Sequence, residues 1–158
     1  MGFPTAKVGR KLAQMFLGQY EYTLDDKGRV TLPARFRHMM ERGVVITRGA
    51  DRCLWVFLAD KWEQIAAKLD GSEPQANKDS RQFTRLIFSG AIDDIPDKQG
   101  RVRIPDHLLQ FAGITSNVVI VGVNSRLEIW SQERWAEQQA DINEHSEEIT
   151  ERYANLSR

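Results

Sequence analysis

The stretch Leu24-Asp25-Asp26-Lys27-Gly28-Arg29-Val30-Thr31-Leu32-Pro33 decides the reading of this chain. A second form of it, Asp97-Lys98-Gln99-Gly100-Arg101-Val102-Arg103-Ile104-Pro105, recurs downstream. Sliding the sequence on itself by 72 residues superposes Phe16 to Arg37 on Phe88 to Leu109 with seven identities: Phe16/Phe88, Gly18/Gly90, Asp25/Asp97, Gly28/Gly100, Arg29/Arg101, Val30/Val102 and Pro33/Pro105. With small gaps the match continues through Val44 to Ile46 against Val118 to Ile120, Leu54 to Phe57 against Leu127 to Trp130, and Trp62 against Trp135. So long a period exceeds that of solenoid repeats and points to a duplicated small domain. In each copy an aspartate suited to open a type I turn (Asp25, Asp97) precedes a glycine that supplies positive φ (Gly28, Gly100). With strands at Gln19 to Leu24 and Ala91 to Ile95 leading in, and short strands leading out, each copy reads as a hairpin.

Outward from the turns the copies stay parallel. Pro33 and Pro105 cannot donate to a ladder but suit the first position of a helix, which predicts helices Ala34 to Arg42 and Asp106 to Ala112, stopped at Gly43 and Gly113. Two more strands follow in each copy. Asp60 and Ser131 then suit the caps of helices whose apolar faces include Trp62, Ile65, Ala66 and Leu69, and Trp135 and Ile142. Asp70 to Ser80 reads as a linker and Arg81 to Ser89 as a helix. The expected plan is an α+β, β-rich chain: residues 15–74 form the first repeat, 75–143 the linker helix and second repeat, and 144–158 an acidic tail. Residues 1–14 lack periodicity and read as a disordered arm or as sequence upstream of a start at Met15.

Strand alternation decides what each turn presents. Val30 and Leu32 point inward, Arg29 and Thr31 outward; Val102 and Ile104 pair inward, Arg101 and Arg103 outward. A two-stranded ribbon fits the DNA major groove, where arginine bonds guanine O6 and N7 in bidentate fashion. The turn lysines, Lys27 and Lys98, reach for phosphates. A plainer reading has Asp25 pairing with Arg29, and Asp97 with Arg101, simply to stiffen the turns; the two are compatible.

The 158 residues are 41% hydrophobic with a formal net charge of zero, which argues against coating nucleic acid by bulk charge and puts the weight on charge placement. Lys27 to Arg42 is basic and Glu133 to Glu151 acidic. The longest apolar runs are too short to span a bilayer, and neither a signal segment nor zinc-ligand spacing is present, so a cytoplasmic protein without membrane, metal or cofactor is expected. His38, His107 and His145 lie far apart, without the partners of a nucleophile or general base, and no enzyme is expected. The lone cysteine, Cys53, reads as a small buried hydrophobe, and Trp62 and Trp135 as core anchors.

Met15-Phe16-Leu17-Gly18-Gln19-Tyr20, followed by Leu24 to Pro33 and repeated at Asp97 to Pro105, resembles the MraZ family of bacterial regulators of the division and cell-wall gene cluster. The resemblance runs from Met15 to the end of the second-copy helix. It implies an AbrB-like, swapped-hairpin β-barrel built from two tandem pseudo-symmetric repeats. It also implies ring-shaped homo-oligomers at the nucleoid that bind short tandem G-rich repeats in double-stranded promoter DNA, with no small-molecule substrate. It favours Met15 as the start, against a basic arm in which Lys7, Arg10 and Lys11 add phosphate contacts. Carried over residue by residue, Arg29 and Arg101 match the motif arginines, and Asp25 and Asp97 its aspartates. Lys27, Thr31, Arg35, Lys98 and Arg103 complete the expected DNA-facing set. Asp93, Asp94 and Asp106 surround the second turn in sequence, and Leu109 stands where the first copy has Arg37, so the first turn is expected to do most of the DNA reading. The competing class is a protein-interaction module using the turn arginines and the acidic tail; an enzyme on a related barrel is third.

Overall fold

The computed structural model describes residues 12, 14–70 and 77–154; nearly all of the expected N-terminal arm lies outside them. In the first copy β1 (Phe16–Thr23), β2 (Arg29–Thr31), a 3-10 helix (Ala34–Met39), β3 (Val44–Arg48), β4 (Leu54–Leu58) and α1 (Ala59–Asp70) follow in order. The linking helix is α2 (Lys78–Gly90), and the second copy runs β5 (Ile92–Asp94), β6 (Arg101–Arg103), α3 (Asp106–Ala112), β7 (Asn117–Asn124), β8 (Leu127–Ser131) and α4 (Gln132–Glu144). The acidic tail forms a further helix, α5 (Ser146–Tyr153).

The two copies interleave. One antiparallel sheet has the order β1-β7-β8-β4-β3-β5, with β4 of the first copy beside β8 of the second at its centre. Each copy's first strand leaves home: β1 pairs along its whole length with β7, from Phe16↔Asn124 to Thr23↔Asn117, and β5 pairs with β3. The two short strands after the turns pair with each other, β2 with β6.

This exchange corrects the local hairpins. The turns form as expected: the Asp25 carbonyl accepts from Gly28 N–H at 3.1 Å, the Asp97 carbonyl from Gly100 N–H at 2.8 Å, and each aspartate N–H donates to the carbonyl of Arg29 or Arg101. The ladders beyond them run elsewhere. β2 is only three residues long before Leu32 and Pro33, whereas β7 offers β1 eight. The expected barrel is likewise not closed among the described residues, since β1 and β5 remain edges and β2–β6 is a separate two-stranded sheet. Prolines 33 and 105 lack the N–H that longer, bridging ladders require.

Alternation holds. Val30, Leu32, Val102 and Ile104 are buried and join Phe16, Phe36, Ile46, Leu54, Leu108, Ile120 and Ile129 in one core between the sheet and the ribbon. The helix after Pro33 is shorter than expected and 3-10 in form, with Phe36 N–H donating to the Pro33 carbonyl. It ends at Met39, Met40 donating its N–H to the Arg37 carbonyl, and Gly43 then takes φ +101 to swing the chain into β3, with its N–H on the Met40 carbonyl. Ser131 caps α4, accepting from Arg134 N–H at 3.1 Å. Asp60 does not cap: it sits inside the first turn of α1 and faces Arg42 at 3.4 Å. Asn77 caps α2, which starts three residues before the expected Arg81. Trp62 and Trp135 are half-buried outside the main core, Trp62 against Phe57 and Phe88, Trp135 against Trp130. Cys53 is fully buried, and burial pushes its thiol pKa far up, so it stays protonated.

Candidate nucleic-acid interface

The β2–β6 ladder sets Arg29 opposite Arg103, Val30 opposite Val102 and Thr31 opposite Arg101. Since side chains alternate, the valines face the core and all four remaining residues share the other face. Outward positions that the sequence assigned to two separate hairpins thus meet on a single ribbon, three arginines and a threonine together. The turns lie at its opposite ends, each stapled to the other copy's strand: Ile104 N–H donates to the Gly28 carbonyl at 2.9 Å and Leu32 N–H to the Gly100 carbonyl at 2.8 Å. Lys27 and Lys98 are exposed at those ends. Arg35 is also exposed, its guanidinium 5.5 Å from the Phe36 ring centre.

Within each turn the aspartate works twice. Asp25 Oδ1 accepts from the N–H groups of Lys27 and Arg29, both at 2.9 Å, while Oδ2 accepts from Arg29 Nε at 2.6 Å. Asp97 repeats this with Gln99 and Arg101, the Nε contact being 2.8 Å. The backbone N–H of Arg29 or Arg101 is the main reason these carboxyls titrate below the usual range, partial burial opposing it and the arginine side chain adding to it. The pairing uses Nε, so it holds each guanidinium by one edge and leaves the terminal nitrogens for another acceptor. One geometry thus stiffens the turn and leaves part of each guanidinium open to a further acceptor.

Charges that sequence neighbours suggested for one turn are distributed differently in space. Asp93, Asp94 and Asp106 line a surface hollow with Arg103, whose ladder partner is Arg29. Arg37, which follows the first turn in sequence, packs over the second: a Cβ on Gly100 would collide with its guanidinium. Its Nε donates to the Leu32 carbonyl at 3.4 Å. It also lies near Tyr22, whose phenol is pushed up by burial and drawn back by this charge. At the equivalent place on Gly28 a Cβ would meet the Ile104 carbonyl oxygen at 3.5 Å and Leu109 Cδ1 at 4.0 Å. The internal alignment pairs Arg37 with Leu109, which was the available signal that the copies differ there, but it did not reveal which turn each covers.

The histidines remain dispersed. His107 contacts the Gly90 carbonyl, and His145 lies 3.2 Å from Asp141. Asp141, Glu144 and His145 bring donor atoms within 4.8 Å of one another at the end of α4. Among the described residues no helix is long and apolar enough to cross a membrane.

Residues 15–86 and 87–156 each match the profile of a family described as "MraZ protein, putative antitoxin-like". The chain belongs to the MraZ family. A protein of Caldanaerobacter subterraneus subsp. tengcongensis is 44% identical over 143 residues, 90% of this chain and 99% of its own length. Another, from Roseiflexus castenholzii, is 50% identical over 121 residues, 77% of this chain and 84% of its own. Both relatives carry the name transcriptional regulator MraZ. The two MraZ matches lie in tandem over the two copies found by self-alignment, and their junction falls within α2.

Proposed function

We propose that this chain is a sequence-specific, DNA-binding transcription regulator of the division and cell-wall gene cluster. It acts in the cytoplasm, at the nucleoid, as a ring-shaped homo-oligomer on short tandem G-rich promoter repeats. The observation that carries the reading is the ribbon face, on which Arg29, Thr31, Arg101 and Arg103 stand together on a short, rigid ladder. Lys27, Lys98 and Arg35 serve it as phosphate contacts. The interleaved halves support assignment to the AbrB-like, swapped-hairpin class. The names of the relatives support regulation of transcription.

Oligomerisation follows from magnitude. One good bidentate arginine–guanine contact discriminates by roughly 1–3 kcal/mol, and a single ribbon offers few. Several ribbons on consecutive repeats gain through effective concentration. The test is a titration against duplexes carrying spaced G-rich repeats and against scrambled duplexes, across a salt series. A clear preference for the repeats is expected. Equal affinity for both would sink the reading and bring forward an interaction module, in which the turn arginines meet an acidic protein partner.

A further inference from the structure

Interleaving makes the two turns unequal in a direction that sequence neighbours conceal. The first turn carries Asp25 and Asp26 against Lys27 and Arg29 and is formally balanced. The second carries Asp97 against Lys98 and Arg101, one positive charge in excess. Arg37 then arrives from the other copy and lies over Gly100, raising that excess to two, whereas the place above Gly28 is bordered by the Ile104 carbonyl oxygen and the uncharged Leu109. Asp93, Asp94 and Asp106 border Arg103 and so reduce the field beside Arg29 in the ladder.

We infer that Arg37 is a DNA-backbone contact of the second turn, supplied across the pseudo-two-fold axis, and that the second turn is the stronger phosphate anchor. This rests on the DNA-binding reading above and extends it to a residue outside the ribbon. The geometry suits that role. Arg37 is half-buried with Cδ and the Nε edge of its guanidinium against the turn, its Nε donates to the Leu32 carbonyl at 3.4 Å, and no ion pair to an acidic side chain forms among the described residues. A guanidinium fixed at one edge is already ordered, so less freedom is lost when a phosphate binds its other nitrogens. Such a contact adds affinity without reading bases.

The test is fluorescence anisotropy of the intact protein with repeat-bearing duplex from 50 to 200 mM salt, a range over which backbone contacts are sensitive. Arg37→Leu, which makes the second turn resemble the first, is expected to weaken binding about tenfold and to flatten the log–log salt slope by about 0.9, the loss of one phosphate contact. Arg37→Lys should keep the slope. Leu109→Arg, which gives the first turn the missing charge, should steepen it by a similar amount. Arg101→Ala should cost more than Arg29→Ala, the reverse of the ranking that the sequence neighbours of the two turns suggest.

An unchanged slope and affinity in Arg37→Leu, with Arg101→Ala still impaired, would overturn the inference and leave the DNA-binding reading intact. If Arg37→Leu does not melt cooperatively, Leu109→Arg and Arg37→Lys decide: a slope that is unmoved in the first, or lost in the folded second, overturns it. Wild-type protein that binds neither duplex removes both readings together, an outcome visible before any variant is made; equal binding to repeat and scrambled DNA removes sequence specificity alone and leaves the salt slopes to decide the backbone contact.

Discussion

At the scale of the residue, the duplicated aspartate is where the structure of the turn and the proposed DNA contact meet. Asp25 and Asp97 each gather two backbone N–H groups and the arginine Nε, which sets the turn and aims the guanidinium at once. Asp97→Ala is therefore expected to lower affinity for repeat DNA about as much as Arg101→Ala, although it removes no positive charge. Binding left at the wild-type level would reduce the pair to a stiffening device. Arg29→Ala and Arg101→Ala should each cost roughly 5- to 150-fold in specific binding, the range of one bidentate base contact. Acid should act through the same groups. Their folded-state pKa values are lowered, so their contribution is complete above the unfolded value near 3.9 and is lost as pH falls through the folded one. Turn geometry should be indifferent between about pH 5 and 8 and loosen only once pH falls beneath the usual aspartate range. Carboxyl carbon shifts followed by NMR would show the two midpoints beneath the usual aspartate range.

At the scale of the element, the edge strand β1 depends on a close approach that only glycine permits. Gly122 of β7 lies opposite Gly18, and a Cβ there would strike the backbone of Phe16 and Leu17. Backbone cannot rotate aside as a side chain can, so Gly122→Ala should push β1 from the sheet. The expected loss is about 1–3 kcal/mol, the range for overpacking. A lowered melting temperature with faster amide exchange confined to β1 and β7 would bear this out, whereas wild-type exchange in both strands would count against it. Much at this scale was legible beforehand. The turn chemistry, the inward Val30 and Val102, the cap at Ser131 and the helix Asp106–Ala112 ending at Gly113 all follow from local rules. Asp60 misled because a good capping residue is equally at home in a helix's first turn, where its charge meets the positive end of the dipole.

At the scale of the whole molecule, neither copy is complete alone. Separated chains of residues 15–74 and 75–158 each lack the partner of their first strand and of their post-turn strand. Neither is expected to melt cooperatively as a monomer, and mixing them should restore the sheet, as read by circular dichroism and amide spectra. A monomeric, cooperatively folded 15–74 would contradict this. The amino-acid sequence by itself determined the duplication, the two turns, which side chains point inward, and the arginines that face out. Those properties are set within a few residues by turn conformation and by a side-chain period of two. Only the tertiary structure decided that β1 pairs with β7 and β2 with β6, and hence that Arg37 covers Gly100 while Asp93 and Asp94 border Arg103. Copies built on one plan offer each strand two similar partners, its own and its twin's. The choice between them rests on ladder length and shared core packing across more than a hundred residues of chain, which no local pattern records.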